Sequence, residues 1–372
     1  MAFIKSIEIN QFRSIQNLTL SDFSNINLIV GDNNSGKTAF LETIQLLLTK
    51  AQLSSINNVI NQRTILKPNN NNFYISFIRM FNVEQNKEQL EFDIYADSDR
   101  GELVFEMRGS EKTISGDDAL FLSKMSTKQK SEYKKWSDSI PEIAKMFTGS
   151  IVTQTGNKTV EKEILCTSLD NRIPGSIEKS EVQYISSFGH LRYDLLQNVV
   201  ANPEYKKLAI DILRQFDHSI ADICYTKAHD GMYLETIITE KGRHMPFSIY
   251  GDGIKKILYI LNKLFDTTDS ILLIDEIETG LHKKYYDILF PVVFALASKL
   301  NVQLFITTHS IEAVDAILRY GNYENNNGEN DLIRVITLKK VDLENGSNIV
   351  ARNVTGKYVY ENRKVFEFEV RL

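Results

Sequence analysis

Short apolar runs that stop abruptly at polar residues organise this chain. Ile26–Val30 stops at Gly31, Ile271–Ile274 at Asp275, and Leu304–Ile306 at Thr307-Thr308-His309. Consecutive apolar positions over so few residues suit strands buried on both faces, as in a parallel sheet covered by helices. Val182–Ser187 and Leu332–Leu338 read as further strands, and residues 3–31 hold the opening ones. Asn72–Ile78, Leu90–Tyr95 and Leu103–Met107 alternate or run apolar, which suggests an antiparallel sheet flanking the core.

Helices are expected over 37–60 (the first at Lys37–Thr49) and at Leu191–Asn198, Pro203–His218, Ile254–Leu264 and Ile311–Tyr320. Arg63–Asn72 and Tyr323–Gly328 read as loops. From Asp117 to Phe147 the chain turns rich in Lys, Ser and Glu. Leu120, Phe121, Met125, Tyr133, Trp136 and Ile140 recur there at helical spacing. Two or three short helices follow, either a lever that docks a partner or an amphipathic lid on the core. The fold class is α/β.

Two of the strand ends carry chemistry. Gly31-Asp-Asn-Asn-Ser-Gly-Lys-Thr38 joins a strand to a helix. Glycines let the backbone curl so that its N–H groups point inward at phosphates, and the helix start adds positive potential. Asn33, Asn34, Ser35 and Gly36 would line the phosphates, Lys37 would reach the β- and γ-phosphates, and the Thr38 hydroxyl would hold Mg²⁺. The bland alternative is a solvated Gly/Asn turn.

Asp275 and Glu276 end the second strand. A carboxylate at Asp275 can serve Mg²⁺ through its water shell, and Glu276 is placed to orient or deprotonate an attacking water. A plain helix cap is the alternative. His309, at the end of a neighbouring strand, could reach the γ-phosphate as a switch. This chemistry points to a nucleoside triphosphatase that uses Mg²⁺.

With NNSGKT upstream, DEIETGLH and FITTHS resemble the ABC-type ATPases of the RecF, chromosome-maintenance and OLD (overcoming lysogenization defect) group. The OLD-like AAA family ATPases found beside bacterial defence effectors are especially similar. The opening Phe3–Ser14 also looks like that group's first strand and turn. The likeness covers residues 1–50 and 245–315.

The resemblance implies a P-loop ABC-type head with a flanking antiparallel sheet and a helical insertion. Residues 1–110 and 181–372 would form the head, with 111–180 as the insertion. It implies a homodimer in which each nucleotide lies between one head's phosphate loop and the other's signature loop. Here that loop would be Ser248-Ile249-Tyr250-Gly251-Asp252-Gly253, with Ser248, Gly251, Asp252 and Gly253 near nucleotide. It departs from the common LSGGE form at Tyr250 and Asp252. Glu278–His282 would cross the dimer interface, with His282 either a cross-site contact or polar surface. Arg13 would touch phosphate or be an ordinary turn residue. Gln183 falls near a Mg²⁺-sensing position but lies inside a strand.

Composition adds limits. The net charge is −5, so no global attraction to nucleic acid is expected, although a local basic patch would suffice for DNA. Cys166 and Cys224 are too few for a disulfide framework or a zinc site. No apolar run is long enough to span a bilayer and no signal pattern opens the chain, so the expectation is cytoplasmic with no membrane partner. After His309 the chain holds Asp331, Asp342 and Glu344 but no D-x-D pair on an apolar strand. A toxic reaction under this protein's control would therefore sit on a separate effector protein. The expected function is ATP-driven dimer closing that regulates such an effector, with antiviral defence as the setting that the resemblance implies. The alternatives are a RecF-type repair ATPase that binds DNA directly and, more remotely, a transporter's nucleotide-binding subunit.

Overall fold

A computed structural model describes residues 3–61, 73–82, 84–135, 141–170, 182–191, 194–228, 231–324, 331–343 and 346–366. Its strands are β1 (Ile4–Phe12), β2 (Ile15–Leu20), β3 (Ile26–Val30), β4 (Leu90–Ser98), β5 (Gly101–Ser115), β6 (Ile143–Thr155), β7 (Lys158–Thr167), β8 (Val182–Ile185), β9 (Ile220–Lys227), β10 (Tyr233–Thr239), β11 (His244–Pro246), β12 (Ser270–Ile274), β13 (Val302–Thr308), β14 (Ile333–Leu343) and β15 (Gly346–Thr355). The helices are α1 (Lys37–Leu47), α2 (Leu53–Asn61), α3 (Phe73–Ile78), α4 (Gly116–Leu122), α5 (Thr127–Lys135), α6 (Gln197–Ala201), α7 (Pro203–Arg214), α8 (Asp252–Phe265), α9 (Tyr286–Lys299), α10 (Ile311–Tyr320) and α11 (Gly356–Phe366).

The central sheet runs β15-β14-β3-β13-β12-β8 and is parallel except for β15 at its edge. Both faces are covered, and the side chains alternate between them. Ile29, Leu273 and Phe305 point into one core, shared with α1 and the antiparallel sheet β2-β1-β4-β5-β6-β7. Leu28, Leu272 and Leu304 point into the other, under α7 to α10. Burial on both faces explains why these strands read as nearly continuous apolar runs, with buried Asn27 and Gln303 as polar exceptions. Helix α1 lies between the two sheets, with nearly every residue buried. A third small sheet, β11-β10-β9, leads to the turn before α8. Among the described residues no helix is long and apolar enough to cross a membrane.

Several sequence expectations need correction. Phe73–Ile78 is helix α3, not a strand. It buries Phe73, Tyr74 and Phe77, and Phe77 meets Phe147 at 5.0 Å between ring centroids. A short run of five apolar residues around Ser76 is too brief to show a period, so helix and strand look alike in it. The helix expected over 37–60 breaks into α1 and α2. The expected Leu191–Asn198 helix lies further on, as α6.

In the expected helical insertion, α4 and α5 form as read, but Ile143 to Thr155 is strand. Phe147 therefore faces the aromatic core. Strand β5 itself runs across residues 110 and 111, and β6 and β7 extend the antiparallel sheet. Trp136 and Ile140, the Arg63–Asn72 loop and Asn325–Gly328 lie outside the described residues, as does Glu344. Nothing is described of the Tyr133 side chain.

Candidate functional site

The C-terminal ends of β3, β13 and β12 lie side by side, with β13 in the middle. This order brings the chemistry of three distant segments to one sheet edge, where open α/β sheets place their ligands. The loop after β3 turns through left-handed backbone at Gly31 (φ 149°), Asn34 (φ 63°) and Gly36 (φ 92°). Gly36 is the N-cap of α1 and offers no side chain to the helix's leading N–H groups. Asp32, Asn33 and Asn34 are exposed, whereas Ser35 is buried and its Oγ has no hydrogen-bond partner.

The hairpin β14–β15 packs on this loop. A Cβ added at Gly31 would strike the Leu338 carbonyl, and one added at Gly36 would strike the Ile349 side chain. Lys37 is buried, and its ammonium donates to the carbonyls of Gly31 and Asp32, each at 2.7 Å. Burial pushes its pKa down, opposed by the charges of Glu276, Asp275, Glu278 and Asp32.

Asp275 is buried and held by three hydroxyls. Thr307 donates to Oδ1 at 2.7 Å, Thr38 to Oδ1 at 3.3 Å, and Tyr184 to Oδ2 at 2.9 Å. Glu276 follows in left-handed backbone (φ 48°), fixed because its N–H donates to the Thr307 hydroxyl at 2.8 Å. Its carboxylate accepts from Thr279 at 3.2 Å.

Beside it, Glu278 Oε1 accepts the His309 N–H at 2.9 Å and lies 3.0 Å from His309 Nδ1. The His309 side chain is 47% exposed, so the ring sits at the rim of the site.

Thr38 and Asp275 thus place two oxygen donors 3.3 Å apart at the start of α1. Hard cations favour such ligands. Among the described residues no group of three or more His, Cys, Asp and Glu gathers as a metal cage. The pair suits Mg²⁺ that takes its remaining ligands from water and phosphate, rather than a self-sufficient metal site.

Other expected residues sit elsewhere. The Ser248–Gly253 loop contacts the Gly280 turn, with Gly280's Cβ position 3.7 Å from Asp252 Cβ. Lys255 bonds Ser248 O at 3.4 Å and pairs with Asp252 at 3.6 Å. Ser248, Gly251 and Asp252 are exposed, and these contacts do not bring them to the phosphate loop of their own chain. Arg13 pairs through Nε with Glu42 of α1 at 2.8 Å. His282 accepts the Lys284 N–H at 3.2 Å and so caps a local turn.

Gln183 bonds Asp266 at 3.2 Å and accepts from Lys263 at 3.4 Å, away from Asp275. The strand's contact with the acidic residue comes from Tyr184 instead. Sequence reasoning also missed Thr307 and Ile349, since neither type at those positions signals a role until the strands are paired.

The fold matches known proteins. A crystal structure of the Pyrococcus furiosus Smc head domain, with an extended coiled coil and bound to the C-terminal domain of ScpA, superposes with a TM-score of 0.50. It covers 99% of this chain and 100% of that one at 11% identity, so the likeness concerns the fold alone: an ABC-type P-loop ATPase head. The chain is 25% identical over 339 residues to an ATP/GTP phosphatase of Helicobacter pylori (strain ATCC 700392 / 26695), 85% of this chain and 88% of that one. It is 47% identical over 45 residues to the DNA replication and repair protein RecF of Idiomarina loihiensis, 12% of this chain and 13% of that one. The family model described as "AAA domain, putative AbiEii toxin, Type IV TA system" matches residues 26–315, and the chain belongs to that family.

Proposed function

We propose that the protein binds and hydrolyses ATP with Mg²⁺, and that two copies close head to head on nucleotide to regulate a separate effector. The observation that carries the chemistry is the convergence of Thr38 and Asp275 at 3.3 Å beside the start of α1. Lys37 supplies positive charge for the β- and γ-phosphates, and the loop N–H groups supply donors around it. Mg²⁺, when bound, would neutralise phosphate charge with Thr38 and Asp275 as its protein partners. Glu276 holds the attacking water: its backbone is pinned to Thr307, its carboxylate is oriented by Thr279, and the residue is only half-buried.

The similarity to an ATP/GTP phosphatase over 85% of the chain supports hydrolysis, so GTP belongs in the assay beside ATP. The exposure of Ser248, Gly251 and Asp252 supports a dimer in which this loop serves a partner's nucleotide. The likeness to OLD-like ATPases and the toxin–antitoxin description of the family favour antiviral defence as the setting. The RecF likeness spans 12% of the chain, too little to favour direct DNA binding over an effector protein.

Nucleotide binding and turnover by purified variants test this reading. Lys37→Ala should abolish tight binding. Glu276→Gln should keep binding, lose turnover by about a hundredfold or more, and associate into dimers with ATP and Mg²⁺ in sedimentation. Wild-type levels of hydrolysis by both variants would remove the active-site assignment. An ATP-independent monomer would remove the head-to-head dimer.

A further inference from the structure

Helix α8 begins at the exposed signature loop, yet one turn in it buries a lysine. Lys256 is 0% exposed, and its ammonium donates to the Ser187 carbonyl at 3.1 Å. A buried ammonium is costly unless anionic charge surrounds it. Burial pushes its pKa down, and the negative charges of Glu278, Asp275 and Glu276, in that order, oppose that shift. All three belong to the strand end and turn that carry the proposed water-holding residue.

The neighbourhood is compact. His190, itself 2% exposed, follows Ser187 in the turn after β8. Gly280 packs on its ring so closely that an added Cβ would lie 2.9 Å from Nε2. The same position is 3.7 Å from Asp252 Cβ, and Gly253 faces the Gly280 carbonyl, with its own Cβ position 3.6 Å away. Glu278 Oε2 is buried with no hydrogen-bond partner. Three segments thus meet at one point: the start of α8, the turn after β8 and the Glu276–Gly280 turn.

We propose that Lys256 is a positioning residue that ties the signature-loop helix to the carboxylate turn of its own chain, so that contact made at one transmits to the other. The inference rests on the hydrolytic reading above. In the proposed dimer the signature loop serves the partner's nucleotide, while the carboxylate turn serves its own. Lys256 would then link the two sites electrostatically, through the charge it presents to Glu278, and mechanically, through the Ser187–His190 turn. A peg that only packed α8 would need neither an ammonium nor its bond to the Ser187 carbonyl.

The test compares Lys256→Met, which keeps most of the stem's volume, with Lys256→Arg, which keeps the charge. Wild-type turnover is measured first, with ATP and Mg²⁺. K256M should bind nucleotide within about threefold of wild type and melt no lower, while kcat falls by about tenfold or more; K256R should recover a good part of kcat. In a Glu278→Gln background, K256M should cost far less than it does in wild type, because the charge it acts on is gone.

A K256M kcat within about twofold of wild type would overturn the proposal while leaving the hydrolytic reading intact. Full, independent losses from K256M and E278Q would do the same. If K256M fails to fold, the K256R kcat and its coupling to E278Q decide alone: a soluble K256R without turnover, or with no coupling, overturns the link. Absence of turnover by the wild type would overturn both readings.

Discussion

Thr307 holds Asp275: its hydroxyl donates to Oδ1 at 2.7 Å and at the same time accepts the Glu276 N–H at 2.8 Å. One hydroxyl therefore sets both members of the carboxylate pair, one through its side chain and one through its backbone. The residue comes from β13, so the strand between the phosphate-loop strand and the carboxylate strand acts as a template for both neighbours.

Replacing Thr307 by Val keeps the shape and removes the hydroxyl. The part-buried Glu276 N–H loses its acceptor, which costs about 1 kcal/mol. Because partners of this kind orient metal ligands, turnover should fall about 10–100-fold while Lys37-dependent nucleotide binding stays. Thr307→Ser should recover much of the rate. Unchanged turnover in T307V would show that Asp275 and Glu276 keep their geometry without it.

Much of this arrangement can be read along the chain. Lys37 and Thr38 share one short stretch with the glycines, so their chemistry is local in sequence. The core strands were legible because Ile29 and Leu28, or Leu273 and Leu272, bury opposite faces and so stand as adjacent apolar positions. Contacts between distant segments were not legible. Tyr184 reaches Asp275 across 91 positions and Thr307 reaches it across 32. Phe73–Ile78 failed for another reason, since five apolar residues and Ser76 are too few to show either period. Lys256 did leave a signal: it stands one turn before Ile260 and two before Leu264, on the apolar stripe of α8.

Gly36→Ala tests the hairpin roof. At φ 92° any Cβ is strained, by about 1–2 kcal/mol. The added methyl would also meet Ile349. Nucleotide affinity and melting temperature should both drop. In an Ile349→Ala background the same substitution should cost less, since only the backbone strain remains. Equal costs in the two backgrounds would mean that Ile349 does not confine the loop.

Lys256 also makes stability depend on pH. Burial lowers its pKa from 10.5 to about 8, against the raising effect of Glu278, Asp275 and Glu276. The unfolded chain then binds more protons than the native state between those values, so this residue's contribution to stability rises with pH across that window. K256M lacks the group. Its advantage over wild type near neutral pH should therefore shrink as pH rises from about 8 towards 10, in urea unfolding of nucleotide-free protein. A difference that stays flat across the window would place Lys256 in a better-compensated environment.

Arg13 offers the sharpest separation of stability from chemistry. Its Nε pairs with Glu42 at 2.8 Å, and the Glu42 side chain is only 3% exposed. Removing the guanidinium leaves a buried carboxylate without this partner, which typically costs about 3 kcal/mol. Arg13→Ala should therefore lower the melting temperature. Adding Glu42→Gln should restore part of it, because the double variant no longer buries that charge. If Arg13 acts only through Glu42, the folded R13A/E42Q protein should also bind nucleotide with near wild-type affinity. A double variant that regains stability but still binds nucleotide poorly would show instead that Arg13 reaches phosphate as well.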